Sequence, residues 1–337
     1  MPVTALLDVR DLQVEFRTRE GVAKAVNGVS YSVAAGETLA VLGESGSGKS
    51  VTAQAVMGIL DSPPGFVTGG EVVFQGEDLL KLGREARRKV RGERMAMIFQ
   101  DALSSLNPVL TVGFQLGEMF RVHRGASRAE ARARSIELME RVRIPAARER
   151  VNDYPHQFSG GMRQRIMIAM ALALGPELII ADEPTTALDV TVQAQVMDLL
   201  AELREETGMG LILITHDLGV VADVADKIAV MYAGRIMETA PVHDLYKAPA
   251  HPYTRGLLDS IPRLDQKGQE LSAIRGTPPS LLAIPPGCPF NPRCPRAQDV
   301  CRTDRPPLYE VTDDAGRPLP GRGSACHFWK DQLHDRP

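Results

Sequence analysis

The string GESGSGKS, residues 43–50, follows the apolar run Leu39–Leu42 and precedes AQAVMGIL, residues 53–60. Strand, glycine-rich turn and helix are the setting of a phosphate-binding loop, and the spacing is G-x-x-x-x-G-K-S. Glycine lets successive backbone amides turn toward phosphate oxygens. Lys49 can reach terminal phosphates, Ser50 can offer its hydroxyl to magnesium, and the helix beginning beside them adds a field that favours anions. The predicted nucleotide contacts are Gly43, Glu44, Ser45, Gly46, Ser47, Gly48, Lys49, Ser50 and Val51.

Working outward, Val9, Leu12, Val14 and Phe16 mark a strand within Leu7–Phe16, and residues 22–35 suggest a second one ending before Gly36. Ser127 and Glu130 have capping-box spacing at the head of a helix running to Arg141. Another helix starts at Ser159 or Gly160 and runs through MRQRIMIAMALA. Leu178–Ala181 reads as a buried strand ending at Asp182. A helix over about Val192–Glu206 and a strand Leu211–Ile214 follow. Alternation of strands and helices predicts an α/β fold with a largely parallel central sheet. No internal repeat is visible.

The magnesium of a phosphate loop needs a further oxygen ligand. Asp182, at the end of an apolar strand, is the candidate, and Glu183 beside it could deprotonate attacking water. His216 follows the apolar run LILIT and could contact the γ-phosphate. Gln100 follows MAMIF and could sense magnesium and the attacking water. The predicted catalytic set is therefore Glu183, His216, Gln100 and Lys49, with Ser50, Gln100 and Asp182 around magnesium.

The chain has 337 residues, 39 basic and 42 acidic, for a formal net charge of -3. That balance gives no reason to expect a nucleic-acid partner. Hydrophobic residues make up 44% and aromatic residues 5%, so aliphatic side chains must supply most of the core. The N-terminal MPVTALLDVRDLQVEF carries charge where a signal core would be apolar. No stretch approaches the ~20 apolar residues of a spanning helix. The expectation is a soluble chain able to bind a membrane protein.

All four cysteines, Cys288, Cys294, Cys301 and Cys326, fall in a proline- and glycine-rich region that begins after about residue 248, in the pattern C-x5-C-x6-C-x24-C. Four thiolates can bind zinc or an iron–sulfur cluster. Spacing alone leaves metal site, disulfides and separate thiols open. A reducing compartment disfavours disulfides.

Together these residues resemble the nucleotide-binding subunits of ATP-binding cassette transporters, over roughly residues 4–245. The phosphate loop, Gln100 at the Q-loop, Phe158–Gln164 at the signature, Asp182 and Glu183 at the Walker B strand, Ala187–Asp189 at the D-loop and His216 at the switch occur in the family's order. The resemblance implies a P-loop NTPase core, residues 4–248, with a helical subdomain at about 101–175. Such ATPases dimerise head to tail, so Ser159, Gly160 and Gly161 would complete the ATP site of a second ATP-binding cassette subunit, a paralogue or a copy. FSGGM stands where the family usually has LSGGQ, which weakens any contact assigned to that glutamine. Phe16 matches the aromatic position that stacks on adenine. The implied activity is Mg2+-dependent ATP hydrolysis.

Residues 249–337 form a small cysteine-containing C-terminal extension. It resembles the C-terminal region of oligopeptide and dipeptide importer ATPases, through HPYTRGLLDSIP (residues 251–262), the CPF and PRC strings, Cys301 and the late ACH. In that group four cysteines are associated with a [4Fe–4S] cluster, which implies Cys288, Cys294, Cys301 and Cys326 as ligands. DALSSLNPVLTVG, residues 101–113, lies where relatives contact a permease coupling helix. The implied partners are two transmembrane permease subunits and an extracytoplasmic substrate-binding protein. The implied location is peripheral, on the cytoplasmic face of the cell membrane. Related ATPases of nickel, opine or oligosaccharide importers are the alternatives in the same class. A soluble cassette ATPase in DNA repair or translation is the alternative outside it.

Overall fold

The computed structural model describes residues 5–101, 105–185, 189–261 and 274–334. The strands are β1 (Leu7–Thr18), β2 (Gly21–Val33), β3 (Thr38–Leu42), β4 (Gly65–Phe74), β5 (Glu77–Asp78) and β6 (Met95–Ile98). They continue as β7 (Leu178–Asp182), β8 (Gly210–Ile214), β9 (Lys227–Tyr232), β10 (Arg235–Pro241), β11 (Tyr309–Thr312) and β12 (Pro318–Ser324). The chain divides into two compact units, interleaved in sequence. One is built mainly from Lys81–Ile214, the other from Leu7–Val33, Thr38–Leu80 and the described residues after Ile214.

In the first unit β6, β7 and β8 lie side by side and parallel, with Met95 opposite Leu178 and Leu178 opposite Gly210. Leu178, Ile179, Ile180 and Ala181 are all fully buried. A parallel strand covered on both faces needs such a continuous apolar run rather than alternation. Helices Val112–Arg124, Arg128–Arg141, Gly160–Leu172 and Val190–Thr207 belong to this unit. The second of them starts with the anticipated capping box. Ser127 Oγ accepts from the Glu130 N–H at 3.3 Å, and Glu130 Oε2 accepts from the Ser127 N–H at 2.8 Å. Val112–Arg124 approaches it closely at Gly117, where an added Cβ would lie 3.4 Å from that of Ala131. Leu116, Leu138 and Met139 are buried; each such side chain contributes roughly 1.5–3 kcal/mol.

The second unit carries an antiparallel sheet, β2-β1-β4-β5. Along β1 the buried residues run Leu7, Val9, Leu12, Val14, so the alternation skips one residue. The register shifts between Val9 and Leu12, and Asp11 has φ of 45°. A β-bulge inserts one residue there and restores the inward face. The same unit holds β3 and β9 paired in parallel, then β10, β12 and β11 added antiparallel. Ala233 and Gly234 join β9 to β10 with φ of 47° and 77°, the two positive values that a tight two-residue hairpin requires. Within the units, parallel pairs join β6, β7 and β8 in the first and β3 and β9 in the second. The antiparallel pairs are additions that alternating sequences form and that the apolar runs did not announce.

The C-terminal region is folded. β12 pairs with β10 through Glu238–Ser324 and Thr239–Gly323. Ala250, Val311, Cys326 and Trp329 make a small core beside it. Among the described residues no helix is long and apolar enough to cross a membrane.

Candidate nucleotide site and cysteine cavity

The phosphate loop belongs to the second unit and joins β3 to the helix Lys49–Met57. Two of its glycines are required by close packing. A Cβ on Gly43 would sit 2.2 Å from the Met231 carbonyl oxygen, and one on Gly48 would sit 2.3 Å from that of Ala25. Both also have positive φ, 151° and 102°. Lys49 is buried, and its Nζ donates to the carbonyls of Gly43 at 2.7 Å and Glu44 at 3.1 Å. The Ser47 N–H donates to the Glu44 carbonyl at 3.2 Å. The Glu44 N–H donates to Tyr253 Oη at 2.9 Å, and the Glu44 carboxylate accepts from Arg293 at 2.6 and 3.0 Å. Tyr253 and Arg293 are functional-site neighbours that residue patterns did not flag; the position of Arg293 beside Cys294 was the available hint.

His216 is exposed in this unit, and Phe16 is half-buried on β1, opposite Ala23 and Gly65. Two polar groups of the same unit, Glu238 and His251, are buried. Glu238 accepts from the N–H groups of Ala250 at 2.6 Å and His251 at 3.0 Å. Burial pushes its carboxyl up to about 7, against those hydrogen bonds. Burial likewise pulls the His251 imidazole down to about 3, and its Nδ1 accepts from the Tyr253 N–H at 3.0 Å.

The first unit brings two predicted residues together: Gln100 Nε2 donates to Glu183 Oε2 at 3.0 Å. Asp182 ends β7 and is buried. Glu183 follows with φ of 46°, its N–H donating to the Ile214 carbonyl at 2.8 Å. A left-handed backbone is uncommon for a non-glycine residue and turns the side chain out of the strand line.

The signature turn is in the same unit. Ser159 caps Gly160–Leu172, its Oγ accepting from the Met162 N–H at 3.4 Å. Ser159 and Gly160 are exposed. A Cβ on Gly161 would lie 2.5 Å from Val192 Cγ1. The departure from the usual signature has a local partner: Arg150 Nη1 lies 3.3 Å from Met162 Sδ, and its guanidinium covers the Phe158 ring at 4.2 Å. Ala187 and Leu188 lie outside the described residues, as do Ala102, Leu103 and Ser104. Asp189 caps Val190–Thr207, accepting from the Val192 N–H at 3.0 Å.

Cys288, Cys294, Cys301 and Cys326 are free thiols. All four line one cavity of about 370 Å³ in the second unit, together with His251 and Phe290. The Cys288 N–H donates to the Cys301 carbonyl at 2.9 Å, and that of Cys294 to the Phe290 carbonyl at 3.0 Å. Burial pushes the Cys288 thiol up to about 11 and that of Cys326 to about 12, and raises Cys294. Thiolate ligation would therefore release protons. Among the described residues no group of three or more His, Cys, Asp or Glu side chains is drawn together to hold a metal ion. The expected four-cysteine metal site is met only as a shared cavity, and a compact single-ion site is not formed.

Known proteins give this geometry its context. A family profile described as "ABC transporter" matches residues 26–186, and one described as "Oligopeptide/dipeptide transporter, C-terminal region" matches residues 237–301. The oligopeptide transport ATP-binding protein OppD of Salmonella typhimurium is 51% identical over 325 residues, 96% of this chain and 94% of that protein. The chain belongs to the ATP-binding proteins of the oligopeptide/dipeptide transporter family. Its catalytic task is that of a transporter ATPase, with ATP and Mg2+ as cofactors. The dipeptide transport ATP-binding protein DppD of Bacillus subtilis is 53% identical over 296 residues, 88% of either chain. These relatives do not favour the nickel, opine, oligosaccharide or soluble-ATPase alternatives. Among solved structures, the dimeric post-hydrolysis state of the ATP-binding cassette MJ0796 bound to ADP and Pi has a TM-score of 0.63 at 28% identity, covering 70% of this chain and 98% of that one.

Proposed function

We propose that this chain hydrolyses ATP to drive uptake of dipeptides or oligopeptides through a separate membrane permease. The observation that carries the reading is a sterically complete phosphate loop in a chain 51% identical, nearly end to end, to an oligopeptide transport ATP-binding protein.

On this reading Lys49 leaves the carbonyls of Gly43 and Glu44 to meet the β- and γ-phosphates, while the loop amides hold the remaining oxygens. Ser50, Asp182 and Gln100 would hold magnesium, which would neutralise charge on the transferring phosphoryl group. Glu183 accepts the proton of the attacking water, and Gln100 orients it in the resting state through the 3.0 Å hydrogen bond. His216 contacts the γ-phosphate, and Phe16 stacks on adenine. Ser159, Gly160 and Gly161 serve the site of a second cassette subunit. Ser159 and Gly160 are exposed at this helix start, and a helix N-terminus suits a phosphate supplied from outside.

The transporter is completed by that second cassette, two permease subunits and an extracytoplasmic substrate-binding protein. The described part of 101–113, with Val109 75% exposed, meets the permease. The chain works peripherally, on the cytoplasmic face of the cell membrane. Cys288, Cys294, Cys301 and Cys326 hold a [4Fe–4S] cluster with a structural or regulatory role. Their convergence on one cavity fits an all-thiolate donor set.

Anaerobic purification from native membranes tests both parts. Two permease chains and a second cassette should copurify, with about four iron and four sulfide per chain. Reproducible recovery without permease would contradict the transporter reading. Absence of iron and sulfide would contradict the cluster alone.

A further inference from the structure

Glu44 is the first variable residue of the phosphate loop, and phosphoryl transfer gives its side chain no task. Its carboxylate nevertheless accepts a bidentate pair from Arg293, Nη1 to Oε2 at 2.6 Å and Nη2 to Oε1 at 3.0 Å. Arg293 sits between Cys288 and Cys294, in the segment that walls the cysteine cavity. Its side chain is 5% exposed, against 27% for Glu44. The guanidinium is fully used: Nε donates to the Arg275 carbonyl at 3.0 Å, and Nη1 also reaches Tyr232 Oη at 3.3 Å. The rings of Tyr232 and Phe290 lie 5.7 and 5.9 Å from it. A planar fork matches a carboxylate in a way that a lysine ammonium does not.

A second tether joins the same residue. The Glu44 N–H donates to Tyr253 Oη at 2.9 Å, and Tyr253 packs on Tyr232 and Phe290 with ring centroids 4.7 and 5.2 Å away. The Glu44 carbonyl accepts from Lys49 Nζ. Amide, carbonyl and carboxylate of one loop residue are thus all committed: amide and carboxylate to residues after 250, the carbonyl to the phosphate-binding lysine.

We propose that Arg293, carried by the cysteine-bearing segment, is a positioning residue for ATP binding, acting through its bidentate pair with Glu44. This rests on the reading of GESGSGKS as an ATP loop. It does not require the cavity to hold iron. A pair that merely docked the C-terminal region would set thermal stability and leave nucleotide affinity alone. A pair that shapes the loop sets affinity for Mg-ATP.

The test is a double-mutant cycle on the full chain, Arg293→Ala, Glu44→Gln and both together, read as Mg-ATP dissociation constant, melting temperature and iron and sulfide content of the same samples. Each single change should weaken Mg-ATP at least fivefold. The double should be no weaker than the worse single, because coupled residues are not additive. Arg293→Lys, which keeps the charge and loses the fork, should recover part of the affinity. Glu44→Gln is close in shape and carries the test if Arg293→Ala does not fold. Single variants within twofold of the parent in affinity, or effects that multiply in the double, would overturn the proposal. Iron and sulfide missing from the parent would count against the cluster and leave the cycle to judge Arg293.

Discussion

Residues 43–48 and residues 287–298 are both irregular stretches, yet they are held differently. The phosphate loop is shaped by backbone packing. Gly43 and Gly48 press against the carbonyls of Met231 and Ala25, and regular elements flank the loop on both sides. The cysteine segment adds polar side chains to its own backbone bonds, such as that of the Cys294 N–H to the Phe290 carbonyl at 3.0 Å. Asn291 Nδ2 donates to the carbonyls of Pro286 at 3.0 Å and Cys288 at 2.8 Å, and Arg293 ties the segment to Glu44. A loop fixed by missing side chains tolerates almost no addition. A loop that also leans on polar side chains loses part of its shape as each is removed.

The largest effect should come from adding one methyl to the first loop. Gly43→Ala places it against backbone that cannot move aside, at a cost of at least ~2 kcal/mol. Displacement of the phosphate cradle should weaken Mg-ATP on the order of a hundredfold. Gly46→Ala is the contrast: nothing lies within 4 Å of its added Cβ, and only the φ of 78° opposes it, a cost of about 1 kcal/mol. Titration of both variants with Mg-ATP checks the difference, and equal losses would break the packing argument.

Gly287→Ala carries the comparison into the second stretch. Its added Cβ would meet the Cys301 carbonyl oxygen at 2.3 Å, at φ of 69°. Iron and sulfide content and melting temperature should fall, with Mg-ATP affinity falling less than in Gly43→Ala. Measured on one preparation, the three quantities show whether damage starts at the cavity or at the loop.

Much of the fold was legible because its signals are local. β3, β7 and β8 are unbroken aliphatic runs, the glycines of residues 43–50 have one spacing, and Ser127 announces its helix three residues ahead of Glu130. Gln100 and Glu183 were each placed by the apolar strand before them, and the structure joins them. The bulge at Asp11 and the pairing of β12 with β10 left no periodic trace. The Arg293–Glu44 pair spans 249 positions, and its partners are ordinary surface residue types until the fold buries them.

The smallest predicted effect concerns Glu238. Its carboxyl titrates at about 7 in the folded chain, above the ordinary 4.5. Its contribution to stability is therefore complete below pH 4.5 and lost as pH rises through 7. His251, depressed to about 3 from 6.5, acts oppositely: its contribution is present above pH 6.5 and lost as pH falls through 3. Glu238→Gln removes only the first term. Between pH 5 and 8 the melting temperature of the variant should rise relative to the parent, by a few degrees. A constant difference across that range would show that the carboxyl titrates normally.

The most direct test of the transport assignment is phosphate release by the purified transporter in proteoliposomes, with and without an added oligopeptide and its binding protein, for the parent chain and for Glu183→Gln. The account predicts peptide-stimulated release in the parent. In the variant release should fall about a hundredfold or more, with Mg-ATP still bound. Undiminished hydrolysis by Glu183→Gln, or release indifferent to every peptide supplied, would contradict it.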